Sequence, residues 1–296
     1  MRRSCFRKCG RECGTNRASA SYVIGHATVI KHSLKRRALP LATRLFALPG
    51  LRRLPPILEA AGAALQSKRG GGYAATWQEV EGALNFIRRP FPTIFDIGAN
   101  VGNWTTSFVE ALPDAQKVVM FEPQPSCWNS LERICNDKIS LEKKAASDTS
   151  GTLTFWANPN SEVSSLHEKA GAAPNSRKIQ IEAITIDEFI AAGQLDIVDY
   201  MKIDVEGHEL AVIKGSRRSI EQGIVRAFSF EFGQADVASR TFFSDFWEVL
   251  TNLNLRIYRI GHDGFAIHIP QYSYDLESFG GVANYVASVH DPRRCR

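Results

Sequence analysis

Short apolar segments alternate with segments of helical periodicity between residues 93 and 260, and this alternation constrains the fold more than any other feature of the chain. The apolar runs FDI, VVMF and YMKI are typical of strands covered on both faces, and a helical pattern follows each of them. This succession predicts βαβ units in a doubly wound, mostly parallel α/β sheet. Late in the chain, LRIYRIG and FAIHIP lack an intervening helix and predict an antiparallel hairpin at the sheet edge.

Residues 1–70 differ in composition from the rest of the chain. They carry 15 Lys/Arg and 2 Asp/Glu, a local charge of +13, whereas residues 71–296 carry a local charge of −8. Several prolines prevent a long helix there. We therefore predict a basic leader over 1–70, poorly ordered or peripheral, and one domain over 71–296 with an insertion near 152–186. The leader suits packing on the domain or peripheral contact with an anionic membrane, and an organelle transit peptide is a further alternative.

The overall composition is that of a globular protein, with 44% hydrophobic and 23% charged residues. The sequence has no apolar run of about eighteen residues or more, which argues against a membrane-spanning helix. Six cysteines are too few for a disulfide scaffold and agree with a reducing compartment, so we expect a cytoplasmic protein. The leader lacks interleaved aromatic residues, so we expect no nucleic acid partner.

The segment FDIGANVGNWT predicts a strand, a glycine turn and a helix in direct succession. Asp96 ends the strand, and Gly98, Asn100 and Gly102 form the turn. Ligands of open α/β sheets bind outside the carboxyl ends of such strands. The G-x-x-x-G spacing differs from the dinucleotide pattern G-x-G-x-x-G, whose amides bind a pyrophosphate. A carboxylate at this turn suits a ligand that carries a sulfonium and an amino acid tail.

Acidic and polar residues also follow the next two strands. Glu122, in FEPQP, ends the second strand, where an acid is placed to accept both ribose hydroxyls of an adenosine cofactor. Ser147 and Asp148 follow the third strand, where they could meet an adenine edge. An ordinary turn explains that second pair equally well.

The segment MKIDVEGHEL places Asp204, Glu206, His208 and Glu209 where a fourth strand gives way to a helix. Carboxylates and an imidazole at this position could hold a divalent cation or remove a proton from a hydroxyl. The alternative is a helix N-terminus that acidic residues stabilise through the helix dipole. Glu231, at the end of the next strand, is a further candidate.

Five motifs in this order resemble the FkbM-type S-adenosylmethionine-dependent methyltransferases, over roughly residues 75–270. The resemblance implies a class I methyltransferase fold, S-adenosylmethionine as cofactor, and O-methylation of a sugar, a glycan- or lipid-linked compound, or a secondary metabolite. It also implies a cofactor site at Asp96, Gly98, Asn100, Gly102 and Glu122, and an acceptor side at Asp204, Glu206 and His208. No metal ligand is assigned, and a divalent cation stays a hypothesis. The motifs are FDIGANVGNWT, FEPQP, Ser164 to Leu166, ITIDEF and MKIDVEGHE.

Two other classes of protein remain as alternatives. In an NAD(P)-dependent Rossmann oxidoreductase, Glu122 would bind a ribose of the nicotinamide cofactor, although the glycine spacing opposes this class of protein. A non-catalytic binding module would keep the fold and use the basic leader to hold RNA or a membrane. Binding of the two cofactors distinguishes the first alternative, and a basic patch on the folded domain would favour the second.

Overall fold

The computed structural model describes residues 44–68, 73–159, 164–167, 175–278 and 280–293. It divides the chain into two compact units, Met1–Ala61 and Gly62–Arg296. Most of the expected leader, residues 1–43, lies outside the described residues. Helix α1 (Leu54–Leu65) crosses the boundary between the two units and has no buried residue. No helix in the described ranges is both long enough and apolar enough to cross a membrane.

Eleven strands occur in the part of the chain that the structure describes. In chain order they are β1 (Thr93–Ile97), β2 (Lys117–Phe121), β3 (Ile139–Glu142), β4 (Ala145–Ala146), β5 (Gly151–Ala157), β6 (Arg177–Ile184), β7 (Tyr200–Ile203), β8 (Ala227–Phe232), β9 (Arg256–Ile260), β10 (Ala266–Ile269) and β11 (Ala283–Ser288). Eight of them form a central sheet in the order β10-β9-β11-β8-β7-β1-β2-β3.

The central sheet is parallel from β3 through β2, β1 and β7 to β8. Strand β11 runs antiparallel to both β8 and β9, and β10 pairs with β9 as an antiparallel edge hairpin. The expected parallel sheet and edge hairpin are therefore confirmed. The sequence analysis missed β11, because its segment ANYVAS mixes two strong strand formers with alanine, asparagine and serine.

Strands β5 and β6, in the region of the expected insertion, form a second, smaller sheet with β4, which precedes that region; the order is β4-β6-β5. Strands β5 and β6 pair antiparallel along their length, from Gly151 opposite Ala183 to Ala157 opposite Arg177. Their partly exposed residues fit the period-two alternation of the sequence. This sheet has its own small hydrophobic cluster, which includes Phe155 and Ile181.

Helices cover both faces of the central sheet. They are α2 (Tyr73–Leu84), α3 (Asn103–Ala111), α4 (Pro125–Glu132), α5 (Ile186–Ala192), α6 (Glu209–Gly215), α7 (Arg217–Glu221), α8 (Gln234–Ser239) and α9 (Phe243–Asn252). Side chains alternate across the sheet: Phe95 and Ile97 of β1 pack in a cluster with α5, α6 and α9. Ile94 packs on the other face with α2, α3 and α4. This two-sided burial explains the apolar strands.

The sequence segment HELAVIKGSRRSIEQG, from His208 to Gly223, predicts one helix after β7, and this prediction is wrong. The chain forms two short helices, α6 and α7, separated at Ser216. A Cβ at Gly215 would overlap the carbonyl oxygen of Ser147, so glycine permits a close approach there. The Ser216 hydroxyl donates to the Val212 carbonyl at 2.7 Å. Glycine and a serine bonded back to the helix backbone both weaken a helix interior, which accounts for the break.

Candidate functional site

The parallel strands bring the candidate residues to one edge of the central sheet. Strands β1, β2, β7 and β8 run in the same direction, so their carboxyl ends lie together. The glycine turn follows β1, Glu122 follows β2, Asp204 follows β7, and Glu231 lies near the end of β8. This is the edge at which open α/β sheets bind ligands.

The two glycines of the turn after β1 are required by their neighbours. Gly98 has φ +79°, and a Cβ there would overlap the carbonyl oxygen of Asp204. Gly102 has φ +89°, and its Cβ would lie 2.6 Å from Cδ1 of Ile134. Only glycine tolerates both the positive φ and the close approach. The turn is therefore packed tightly against the end of β7 on one side and a side chain beyond α4 on the other.

Hydrogen bonds within the protein occupy the backbone amides of this turn. The amides of Gly98 and Ala99 donate to the Phe121 carbonyl at 2.9 and 3.1 Å. Asn100 N donates to Glu122 Oε2 at 2.8 Å, and Gly102 N donates to the Ala99 carbonyl at 2.8 Å. A dinucleotide-binding turn instead directs its amides at a pyrophosphate. The observed bonding therefore argues against a pyrophosphate site at this turn.

Glu122 is held in a fixed position at the end of β2. Its Oε2 accepts from Asn100 N, and its Oε1 accepts from Gln124 N at 2.8 Å. The side chain of Trp128 donates to the Glu122 carbonyl at 2.9 Å. Burial raises the pKa of Glu122 to about 7, against the lowering effect of the two amides. Each carboxylate oxygen has a second lone pair and can accept one more hydrogen bond.

Asp96 is fully buried, with 0% of its surface exposed. Its Oδ2 accepts from Thr105 Oγ1 at 2.7 Å, and its Oδ1 lies 3.6 Å from Lys202 Nζ. Burial raises the pKa of Asp96, whereas Lys202 lowers it. The structure places Asp96 beneath the turn, bound to Lys202 and Thr105, and its role toward a cofactor stays a prediction.

Lys202 connects the turn after β1 to the residue after β7, and the sequence analysis did not single it out. Its Nζ lies 3.0 Å from Asp204 Oδ2 and donates to the Gly98 carbonyl at 3.5 Å. Although burial lowers the pKa of this buried amine, nearby Asp204 and Asp96 raise it above the ordinary value. The signal available in the sequence was a lysine inside the apolar strand segment YMKI, because lysine is rarely buried unless it is paired.

Two further carboxylates lie near Lys202. We call Glu79, Asp96, Asp204 and Glu231 the acidic cluster. The pKa of Glu79 is raised to about 7, mainly by burial. Asp204 also raises this pKa, whereas Lys202 lowers it. Burial, Asp204 and Glu79 raise the pKa of Glu231 well above its usual range. Glu231 was expected from its strand-end position, whereas Glu79 lies on α2 and only the tertiary fold brings it here.

His208 contacts both Ser147 and the insertion. Its Nε2 lies 2.9 Å from Ser147 Oγ, and its Nδ1 lies 3.3 Å from Nε2 of His167. Burial, followed by the nearby His167, lowers the pKa of His208 to about 4, so its ring is neutral at pH 7. Both ring nitrogens are therefore within hydrogen-bond distance of protein groups. The neighbouring Asp148 side chain is exposed, and its Oδ1 accepts from Ser147 Oγ at 3.3 Å.

Glu206 and Glu209 differ in their surroundings. Glu206 has φ +55°, and its carbonyl accepts from Ser165 Oγ of the insertion at 2.8 Å. Glu209 is buried, and its Oε1 accepts from Val205 N at 2.8 Å. Glu209 therefore satisfies a backbone amide of the loop between β7 and α6, and its place in the first turn of α6 agrees with the helix-terminus interpretation. Glu206 stays a candidate for the acceptor side.

The divalent-cation hypothesis gains no ligand set from the structure. Across the described ranges, no group of three or more His, Cys, Asp and Glu side chains is arranged to hold a metal ion. Asp96 and Asp204 instead flank the Lys202 amine, which neutralises part of their charge.

The strand order and the site define a class of protein. Five parallel strands, a glycine turn after β1, an acid after β2 and an antiparallel strand between β8 and β9 make a class I methyltransferase fold. Residues 96–260, more than half of the chain, match the family model described as the methyltransferase FkbM domain. The chain belongs to this family.

Curated relatives match the chain over part of their length. Methyltransferase sdnD of Sordaria araneosa is 30% identical over 42% of this chain and 60% of its own length. The 2-O-methyltransferase NoeI of Sinorhizobium fredii is 24% identical over 46% of this chain and 62% of its own length. The hexuronic acid methyltransferase AglP of Haloferax volcanii is 26% identical over 43% and 51%. The chain thus spans between half and two thirds of the length of these relatives.

Among solved structures, an FkbM methyltransferase from Methylobacillus flagellatus is similar to this chain with a TM-score of 0.43. The two are 14% identical, and the match covers 79% of this chain and 60% of the other.

Proposed function

We propose that the chain is an S-adenosylmethionine-dependent methyltransferase that methylates a hydroxyl group of a sugar or a related polyhydroxylated compound. The observation that carries this proposal is the position of Glu122, which two backbone amides hold at the end of β2 beside the Gly98–Gly102 turn. Membership of the FkbM family supports the reaction class. The names of NoeI and AglP support a hydroxyl or sugar acceptor.

The residues at the sheet edge fit this cofactor. The remaining lone pairs of the Glu122 carboxylate would accept the ribose hydroxyls, and the Gly98–Gly102 turn would take the amino acid end. Ser147 and Asp148 would lie toward the adenine. When bound, S-adenosylmethionine supplies a methyl group that its sulfonium makes electrophilic. Asp96, beneath the turn, would act through Lys202 and the turn rather than through direct contact.

The chain must align the acceptor oxygen and receive its proton. In the transfer, a bond forms between the acceptor oxygen and the methyl carbon while the carbon–sulfur bond breaks, and the hydroxyl proton leaves. We assign Asp204, which Lys202 fixes from 3.0 Å, to orient the hydroxyl or accept its proton. Glu206 would help Asp204 to orient the acceptor hydroxyl. His208 would act through the Ser147 hydroxyl, which its Nε2 contacts.

The acidic cluster and Glu206 bear on the choice of acceptor. One buried amine stands among these carboxylates, so the acceptor side has an excess of acidic groups. Burial and the neighbouring Asp204 already raise the pKa values of Glu79 and Glu231, so a further carboxylate brought to this side would add a negative charge that the site disfavours. We therefore favour a neutral, polyhydroxylated acceptor over one that carries its own carboxylate.

Calorimetric titration with S-adenosylmethionine and its demethylated product tests the proposal. We expect binding by the full chain and about a tenfold or greater loss of affinity in Glu122→Ala, because a charged hydrogen-bond acceptor is removed. Glu110→Ala, an exposed residue of α3, is the matched control and should bind normally. Absence of binding to either compound would contradict the proposal, and binding of a reduced nicotinamide cofactor instead would favour the oxidoreductase.

Turnover is tested separately, by mass spectrometry of sugars incubated with the cofactor. A gain of one methyl group on a neutral sugar supports the assignment. Binding without turnover on any acceptor would favour a non-catalytic module. For the compartment, we propose the cytoplasm, because Cys127 and Cys135 are thiols and not a disulfide, as is usual in a reducing environment.

A further inference from the structure

Helix α1 exposes its large apolar side chains. Leu54, Ile57, Leu58 and Leu65 fall at helical spacing and form one stripe. Ile57 is 59% exposed, Leu58 60% and Leu65 88%. A helix that packs on a protein core buries such a stripe, so this one is available to another surface.

The last turn of the same helix, which belongs to the larger unit, has a hydrogen-bond partner within that unit. Gly62, Ala63 and Ala64 are partly covered, and the Ala64 carbonyl accepts from His262 Nε2 at 2.9 Å. The end of α1 is thus held at the Ala64 carbonyl, whereas the adjacent Leu65 side chain lies in solvent.

The segment before the helix extends the apolar surface and adds positive charge. Between residues 44 and 65 the sequence has three arginines and a single acidic residue, Glu59. Residues 1–43 add ten Lys/Arg and one Glu. In the structure, further exposed side chains of this segment are Leu45, Leu48, Leu51, Arg44, Arg52 and Arg53.

We propose that residues 44–65, which we call the docking segment, bind the surface of an anionic phospholipid bilayer. The stripe of α1 would enter the boundary between headgroups and acyl chains, and the arginines would contact lipid phosphates. A contiguous exposed apolar surface marks an interaction site, and its combination with arginines is typical of a helix that lies in a membrane interface. The excess of positive charge selects an anionic bilayer over a neutral surface. The methyltransferase assignment plays no part in this inference.

Vesicle sedimentation with the full chain tests the docking segment. We expect the protein to sediment with phosphatidylcholine vesicles that contain phosphatidylglycerol and to stay in solution with pure phosphatidylcholine. Added salt should weaken the binding, since it screens the arginines. Failure to bind the anionic vesicles, or equal binding to both kinds, would overturn the proposal.

Paired substitutions locate the contact. Ile57→Glu with Leu58→Glu should lower vesicle partitioning about tenfold or more, because two apolar side chains no longer enter the interface. Arg52→Gln with Arg53→Gln should lower it about tenfold on anionic vesicles. Phe91→Glu is the matched control, since Phe91 is 57% exposed and lies outside the segment. Its partitioning should equal that of the wild type.

Two further measurements keep the outcome decisive. The variants should keep the wild-type circular dichroism spectrum, which shows that they fold. They should also keep the wild-type calorimetric titration with S-adenosylmethionine, so that a failure of the membrane proposal is distinguished from a failure of the proposed function. Unchanged partitioning in the Ile57/Leu58 variant would overturn the docking segment. So would a concentration-dependent dimer that this variant abolishes without vesicle binding, because the stripe would then bind a second copy of the chain.

Discussion

At the scale of single residues, Lys202 has the largest electrostatic effect on the site. Its amine lies within 3.6 Å of Asp96 and 3.0 Å of Asp204, and Glu79 and Glu231 stand nearby. Removing one partner of a buried ion pair leaves an uncompensated charge, which costs more than the pair contributes. Lys202 of β7 therefore links carboxylates of β1, β8 and α2 with Asp204, the residue that follows its own strand.

Lys202→Met should lower the free energy of unfolding by about 3 kcal/mol at neutral pH, because buried Asp96 loses its positive neighbour. The pKa of Asp96, already raised by burial, should rise further. An acid with a raised folded-state pKa binds more protons in the folded than in the unfolded state. Stability therefore falls as pH rises from the pKa of the unfolded state to that of the folded state. The deficit of the variant should accordingly shrink as pH falls.

Urea denaturation at several pH values measures this effect. Lys214→Met, at an exposed position of α6, is the control and should change stability by less than about 0.5 kcal/mol. A deficit in Lys202→Met that is independent of pH would contradict the electrostatic explanation.

At the scale of secondary structure, turns and short helices depend on contacts that no local pattern reveals. Gly98, Gly102 and Gly215 stood out in the sequence only as glycines, but each lies against a particular neighbour from a distant part of the chain. The turn itself could be predicted from its position after a buried strand. The break at Gly215 could not, because it requires the carbonyl of Ser147 to approach α6.

Gly98→Ala tests the importance of the contact between the turn and β7. The substitution should cost about 3 kcal/mol or more in unfolding free energy, since it combines strain at positive φ with overlap of the Asp204 carbonyl. Gly223 has φ +71°, and no atom lies within 4 Å of the position that a Cβ would take there. Gly223→Ala therefore isolates the strain alone and should cost about 1 kcal/mol. Equal costs in urea denaturation would show that the contact is unimportant.

At the scale of the whole molecule, the strong periodicities of the sequence determine what can be predicted. The parallel sheet, the edge hairpin and the strand-end positions of Glu122 and Asp204 follow from buried apolar runs. Glu79 and Lys202 were not assigned, because a helix and a strand interior deliver them to one place only in three dimensions. Strand β11 was missed for a related reason: its neighbours β8 and β9, rather than its own residues, make it a strand.

The hydrophobic clusters of the central sheet begin at Val80, and the described part of the leader contributes no member to them. We therefore expect that deletion of residues 1–53, which end before α1 begins, changes the unfolding free energy of the domain by less than about 0.5 kcal/mol. Urea denaturation of the truncated and full chains checks this. A loss of several kcal/mol would mean that the leader contributes to the core, contrary to the proposed domain organisation.

The contact between Gly98 and the Asp204 carbonyl also limits how such a chain can acquire a new substrate. The backbone after β7 has no free space on the side of the turn, so it cannot be rerouted toward that side without displacing the first loop as well. Selectivity must then change through side-chain replacement, or through the β5–β6 sheet and the segment between its strands, where His167 contacts His208 and Ser165 contacts the Glu206 carbonyl. For redesign of this scaffold, library diversity belongs in that accessory sheet, and the main chain after Ile203 should be left alone.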